Sequence, residues 1–133
     1  ENYQDRKNAA NGGLYKSTVD NMREYYVRAQ SMGGRTDVRW LTLTDNNGNG
    51  IRVTPVGTID FTALHYTDPD LWHVKYGHDL DNIRRAEVVL NLDCVQRGLG
   101  NASCGPGPRP KYNIDGGKTY SYSFRIEPTH TSK

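Results

Sequence analysis

Cysteine is scarce in this chain of 133 residues: there are two, Cys94 and Cys104. Two are too few for a disulfide scaffold, and their spacing matches no zinc pattern. They form either a disulfide closing a small loop or two free, partly buried thiols. A chain of this length needs no staple, which favours the thiols. Phenylalanine and tryptophan are also rare, with 2 of each, so much of the apolar work falls to 9 tyrosines. No apolar run approaches the ~20 residues needed to cross a bilayer. Charge of one sign is missing as well. Lys+Arg is 17 and Asp+Glu is 15, a net +2. That excludes a strongly electropositive nucleic-acid binder and an acidic disordered tail. The first residues, Glu1-Asn2-Tyr3-Gln4-Asp5-Arg6, offer neither a basic n-region nor an apolar h-region and are not read as a signal peptide. An opening without Met predicts a chain processed or cut from a longer one.

What is present is period-two alternation, punctuated by 14 Gly and 6 Pro. Tyr120, Tyr122, Phe124 and Ile126 share one face of a strand over residues 119–127, against Thr119, Ser121, Ser123, Arg125 and Glu127. The shared face predicts that Tyr120 and Tyr122 are core. Val88, Leu90 and Leu92 mark a second strand, with Glu87, Val89, Asn91 and Asp93 opposite. Ile59, Phe61 and Ala63 mark a third, with Asp60, Thr62 and Leu64 opposite. Ile51 and Val53 mark a fourth, which Pro55 ends. Val38 to Leu43 is apolar on both faces and predicts a central strand or one with a bulge. Asp45-Asn46-Asn47-Gly48-Asn49-Gly50 is a hairpin loop. Asp68-Pro69-Asp70 starts a short helix with an acidic cap, and residues 98–110 form an irregular loop. Residues 1–35 predict extended coil with short strands near Leu14–Lys16 and Tyr25–Val27. The sum is an all-β fold of antiparallel sheets, most simply a β-sandwich, in one domain over residues 1–133.

Motifs that look like chemistry fail on inspection. The 45–50 loop starts like a calcium loop, but the position that should carry the bidentate Glu is Val56. Gly117-Lys118-Thr119 lacks the earlier glycine of a phosphate-binding loop, because Tyr112 stands there. Gly98-Leu99-Gly100 lacks the third glycine of a dinucleotide fingerprint, where Ser103 stands. Asn101-Ala102-Ser103 is a sequon, with meaning only in a eukaryotic secretory setting. His65, His73, His78 and His130 are scattered, and no nucleophile–base signature accompanies them. A glycosidase carboxylate pair cannot be selected among 15 acidic residues.

Four blocks, in order, are more specific than any of these motifs. They are Glu1-Asn2-Tyr3-Gln4-Asp5-Arg6, Arg35 to Asp45, Phe61-Thr62-Ala63-Leu64-His65-Tyr66-Thr67, and Leu92 to Gly100 followed by Ser103-Cys104-Gly105-Pro106. Together they resemble the C-terminal domain of bacterial β-galactosidases of glycoside hydrolase family two, the large multidomain lactase type. The resemblance covers essentially the whole chain and implies roughly the second half of that domain. It implies a galactose-mutarotase-like supersandwich. It places the catalytic glutamates, and the divalent and monovalent metal ions, in a barrel domain outside this chain. No catalytic residue or metal ligand is carried over, and no cofactor is expected here. The implied partner is the catalytic barrel of the same polypeptide, with galactoside substrate reached only through the parent. Neither nucleic acid nor membrane is expected as a partner. The compartment stays open, with bacterial cytoplasm and periplasm both compatible with the resemblance. In some members an aromatic from the segment before the Phe-x-x-x-x-Tyr strand edges the substrate pocket; here that segment is Thr54-Pro55-Val56-Gly57-Thr58, which has none. Where relatives carry Trp after the Gly-rich loop, this chain has Cys104, a smaller core plug.

The leading expectation is therefore a non-catalytic module of a retaining β-galactosidase. The second is an independent carbohydrate-binding module, with His65, Tyr66 and Trp72 as its candidate contacts, because aromatics stack on sugar faces. The third is a mutarotase-type epimerase using His65 or His78 with Glu87 as acid and base. A half-sandwich leaves strand edges and apolar faces uncovered, so the isolated chain is expected to form a homo-oligomer or to pair edges.

Overall fold

The computed structural model describes residues 3–5, 12–25, 32–101 and 105–130. Among the described residues six strands form in the order β1 (Arg35–Val38), β2 (Leu41–Thr44), β3 (Asn49–Pro55), β4 (Ile59–Leu64), β5 (Val89–Asp93) and β6 (Phe124–His130). One helix, α1 (Asp68–His73), and 3-10 turns at Asp20–Met22, Gly77–Ile83 and Pro110–Tyr112 lie among them. The strands make two three-stranded sheets, ordered β1-β4-β5 and β2-β3-β6, and every pairing is antiparallel. The fold is thus all-β, as the alternation predicts.

The two sheets meet over a core of Leu41, Val53 and Ile59, with Val38, Ile51, Phe61, Leu90 and Leu92 packed against it. These are the inward positions of the predicted strands, so period two correctly sorted the faces of β3, β4 and β5. The hairpin loop also forms. The Asp45 carboxylate accepts from the backbone N–H of Asn47 (2.8 Å) and of Asn49 (2.9 Å), capping the turn from inside. That joins β2 to β3 in the register Leu41↔Val53.

Four expectations are corrected. Val38 to Leu43 is two strands, not one. Arg39 and Trp40 carry the chain from the first sheet to the second, so each short strand is covered by a different partner. A bulge does occur, but within β1: the register slips by one residue between Arg35 and Val38, and Asp37 takes φ 56°. β4 is buried on both faces. Its outward Asp60 and Thr62 are 2% and 6% exposed, because later segments cover that face. The last strand starts at Phe124 instead of Thr119, and Tyr120 and Tyr122 are 42% and 44% exposed. β6 is the edge of its sheet, so its apolar row runs past the core instead of into it. Residues 14–16 are exposed and form no strand; of the 25–27 segment, Tyr25 is coil and the rest lies outside the described residues.

A second apolar cluster covers the outer side of the first sheet. Leu64, Tyr66, Leu71, Val74 and Leu80 are buried there with Met22, Met32 and Ala63. α1 begins because Thr67, not Asp68, caps it. The Thr67 hydroxyl accepts from the Asp70 N–H (3.3 Å), and the Asp70 carboxylate accepts from the Thr67 N–H (2.8 Å). Pro69 in the first turn needs no N–H partner, and Leu71 is the residue the helix buries.

Candidate functional site

Sequence named His65, Tyr66 and Trp72, which the chain places in three different environments. Tyr66 is 3% exposed, its ring packed in the second cluster. Its hydroxyl accepts from Arg23 (3.1 Å). Both ring faces are therefore in protein, and none is left for a sugar. His65 has Nδ1 2.9 Å from the backbone carbonyl of Glu87 and Nε2 3.8 Å from Asp20. An imidazole whose Nδ1–H donates to a carbonyl is held in one orientation. Trp72 sits on α1 and is 61% exposed.

The His–carboxylate pairs of the epimerase reading do not assemble. Glu87 reaches His65 through its backbone, while its carboxylate lies 3.3 Å from Arg85. His78 stacks on Tyr76 and lies 3.4 Å from Asp79. Around them the charges serve structure. Arg85 grips Asp70 by Nε (2.6 Å) and Nη2 (3.0 Å), a forked pairing that draws the Asp70 carboxyl well below its ordinary range. Arg23 pairs with Asp81, which lowers the Asp81 carboxyl too.

Two further carboxylates fasten loops, and sequence missed both. Asp60 accepts from the N–H of Asp37 (3.0 Å) and of Gln96 (2.9 Å), tying the β1 bulge to the segment after β5. Burial raises its pKa, against the lowering by those two donors. Asp5 accepts from the N–H of Leu99 (3.1 Å) and Gly100 (2.7 Å). This joins the first and last resemblance blocks. Gly100 is needed there at φ +65°, and a Cβ on Gly98 would lie 2.8 Å from the Asp5 carboxylate. Only period and turn chemistry are visible in sequence, and neither reveals a contact spanning most of the chain.

Among the described residues a groove of about 910 Å³ opens on the outer side of the first sheet. Its floor is Thr62 and Leu64 of β4 with Asn91 and Asp93 of β5. Thr62 and Asn91 are cross-strand partners, and the Asn91 amide donates to the Thr62 hydroxyl (3.1 Å). One wall is α1, through Asp68, Leu71 and Trp72; the other is Val95, Gln96 and Arg97. Asp93 has its pKa raised by burial and then by Asp68, and its carboxylate makes no hydrogen bond or ion pair among the described residues. The Gln96 side-chain oxygen is buried and has no donor among the described residues. Arg97 donates from Nε to Asn113 (3.2 Å). Of the predicted contacts, only Trp72 lines this groove. Its remaining polar groups are outward positions of the predicted strands, follow β5 or, as with Asp68 and His73, belong to α1. Pairing, which sequence does not show, puts them side by side.

Among the described residues no three His, Cys, Asp or Glu side chains gather as metal ligands, and no helix is long and apolar enough to cross a membrane. Cys94 is a half-buried free thiol; Cys104 lies outside the described residues.

Comparison with known proteins supports a β-galactosidase-related domain. The family described as "Beta galactosidase small chain" matches residues 1–126. A β-galactosidase of Priestia megaterium is 31% identical over 129 residues, 96% of this chain and 12% of that protein. One of Halalkalibacterium halodurans is 30% identical over 128 residues, 95% of this chain and 12% of that protein. One of Vibrio vulnificus is 29% identical over 129 residues, with 96% and 12% covered. The chain thus spans about 12% of the length of these relatives. With the match running from residue 1 into the start of β6, the chain belongs to the β-galactosidase small-chain family.

Proposed function

We propose that this chain is a single-domain, non-catalytic β-sandwich module from the C-terminal region of a β-galactosidase. In this reading it packs on the catalytic barrel and edges its substrate pocket. The observation that carries it is coverage: relatives named β-galactosidase match 96% of this chain with 12% of their own length. The exposed apolar row of Tyr120, Tyr122, Phe124 and Ile126 is the surface this reading assigns to the rest of the polypeptide, or to a second copy when the chain is alone. Contiguous apolar surface of this kind marks interaction sites. The parent's chemistry would be hydrolysis of terminal β-galactosides through a glycosyl-enzyme, with both carboxylates and the metal ions in the barrel.

The test uses the Priestia megaterium relative with its matching segment deleted, assayed on a nitrophenyl β-galactoside. The 133-residue chain alone should show no hydrolysis. The deleted enzyme should lose activity or assembly, and regain part of it when this chain or the native segment is supplied. Hydrolysis by the chain alone, or full activity and assembly of the deleted enzyme, would refute the proposal.

A further inference from the structure

We infer that β6 pairs with β6 of a second copy of this chain, antiparallel about a two-fold axis at Ile126. The direction of the backbone groups comes first. The Val56 N–H donates to the Ser123 carbonyl (2.9 Å), so Ser123 turns toward β3. Along an antiparallel strand, successive residues turn their N–H and C=O groups to opposite sides. Arg125, Glu127 and Thr129 therefore face β3, and Phe124, Ile126 and Pro128 face the free edge. Pro128 fits that placement, because its missing N–H falls on the unpaired side. No described residue pairs with this edge, and Phe124, Ile126 and Pro128 are exposed along it. β6 is also the longest edge of the two sheets. It has seven residues, against four in β1, four in β2 and five in β5. β1 is further blunted by its bulge at Asp37.

Charge complementarity makes the occupant a second copy. Arg125 and Glu127 flank Ile126 on the outer face of the sheet, 3.0 Å apart. A two-fold axis at Ile126 sets Arg125 of each copy opposite Glu127 of the other. Those are non-hydrogen-bonded positions, where cross-strand side chains approach most closely. Each charge then has its opposite both along its own strand and across the axis. On the inner face Ile126 meets Ile126, and Phe124 meets Pro128, so the exposed apolar row is continued across the axis. Both Ile126 N–H groups donate across the axis, and each Phe124 N–H reaches the Pro128 carbonyl of the other copy. Pro128 has no N–H to return that bond. One strand pair is also a small interface, so the association is weak, with a Kd on the order of 100 µM. Below that concentration the chain is a monomer and the β6 row stays uncovered.

The test is sedimentation velocity and amide NMR of the 133-residue chain, from well below to well above that concentration. A monomer–dimer equilibrium is expected, with amide shifts that saturate at Phe124 and Ile126. Arg125→Glu and Glu127→Arg should each weaken dimerisation by about tenfold, since the axis counts each like-charge contact twice. Mixing the two variants should restore it, because every Glu then faces an Arg. The double variant, with the two charges exchanged, should dimerise like the original chain. A monomer well above the expected Kd would overturn the inference, and is the result expected if only a strand of a longer enzyme fits this edge. So would saturating shifts confined to β1, β2 or β5, or dimerisation indifferent to both charge reversals. The concentration series of the unaltered chain decides alone if a variant fails to fold. The inference does not depend on the role of the module in a longer enzyme. A monomeric chain leaves the deletion experiment standing, and a failed complementation leaves the self-association standing.

Discussion

Tyr66 and Tyr122 belong to opposite ends of this molecule. Tyr66 closes the side where α1, the 77–83 turn and the first sheet enclose a core, and its hydroxyl is held by Arg23. Tyr122 lies beside the β6 edge, 44% exposed, its hydroxyl donating to the Leu92 carbonyl (2.8 Å) and its ring tilted against Phe124. The same residue type is core in one place and surface in the other because the first sheet has a cover and the second has an unpartnered edge. A residue's chemistry sets what burial would be worth, and topology decides whether burial happens.

The largest test of that contrast is truncation on each side. Leu80 is 0% exposed in the covered cluster, so Leu80→Ala should cost about 2–5 kcal/mol by lost transfer energy and a residual cavity. Ile126 is 51% exposed, and Ile126→Ala should stay within about 0.5 kcal/mol. Urea unfolding of the two variants measures both. An Ile126 cost comparable to that of Leu80 would mean that the β6 row is covered in solution, by a second copy of the chain.

The next test is polar. Asp60→Ala leaves the N–H groups of Asp37 and Gln96 without their acceptor beneath a covered face, at a cost of about 1–3 kcal/mol. It should also broaden or shift the amide signals at both ends of the tie, residues 37 and 96. A smaller effect follows for the helix. Thr67→Ala removes half of the capping box and should cost about 1 kcal/mol. Thr67→Ser should restore most of it.

These cases also mark how far the sequence could be read. The inward faces of β3, β4 and β5 were legible, since alternation is a local signal and Val53, Ile59 and Leu90 obey it. The 45–50 hairpin was legible because Asp45 and Gly48 act within their own turn. The division at Arg39–Trp40 was not, because a run apolar on both faces looks the same whether one strand is covered twice or two strands serve two sheets. The exposure of Tyr120 and Tyr122 was illegible for a related reason: period two gives a face and never says whether anything stands opposite. Of the candidate site, Trp72 was named from residue type alone. Asp93, Asn91 and Gln96 were not, because their meeting depends on the β4–β5 register, and the Asp60–Gln96 tie spans 36 positions.

The finest test separates the groove from the ion-pair network beside it by the sign of a pH effect. Asp93 has a raised pKa, from burial first and Asp68 second. The folded chain therefore favours its neutral form. Its contribution to stability is present below the ordinary carboxylate value near 4 and lost as pH rises through the raised one. Asp93→Asn should then raise the Tm at pH 7, with the gain shrinking toward pH 4. Asp70 is the reverse: Arg85 holds its pKa down, so its stabilisation is present above the ordinary carboxylate value and lost as pH falls through the lowered one. Asp70→Asn should lower the Tm at pH 7, and that loss should fade in strong acid. Thermal melts across this range measure both differences, and Asp93→Asn should be the smaller because Asp93 has no ion pair to lose among the described residues. A destabilised Asp93→Asn at neutral pH would show that Asp93 already serves the fold. A stabilised variant would show the opposite, a carboxylate kept in the groove at the expense of stability.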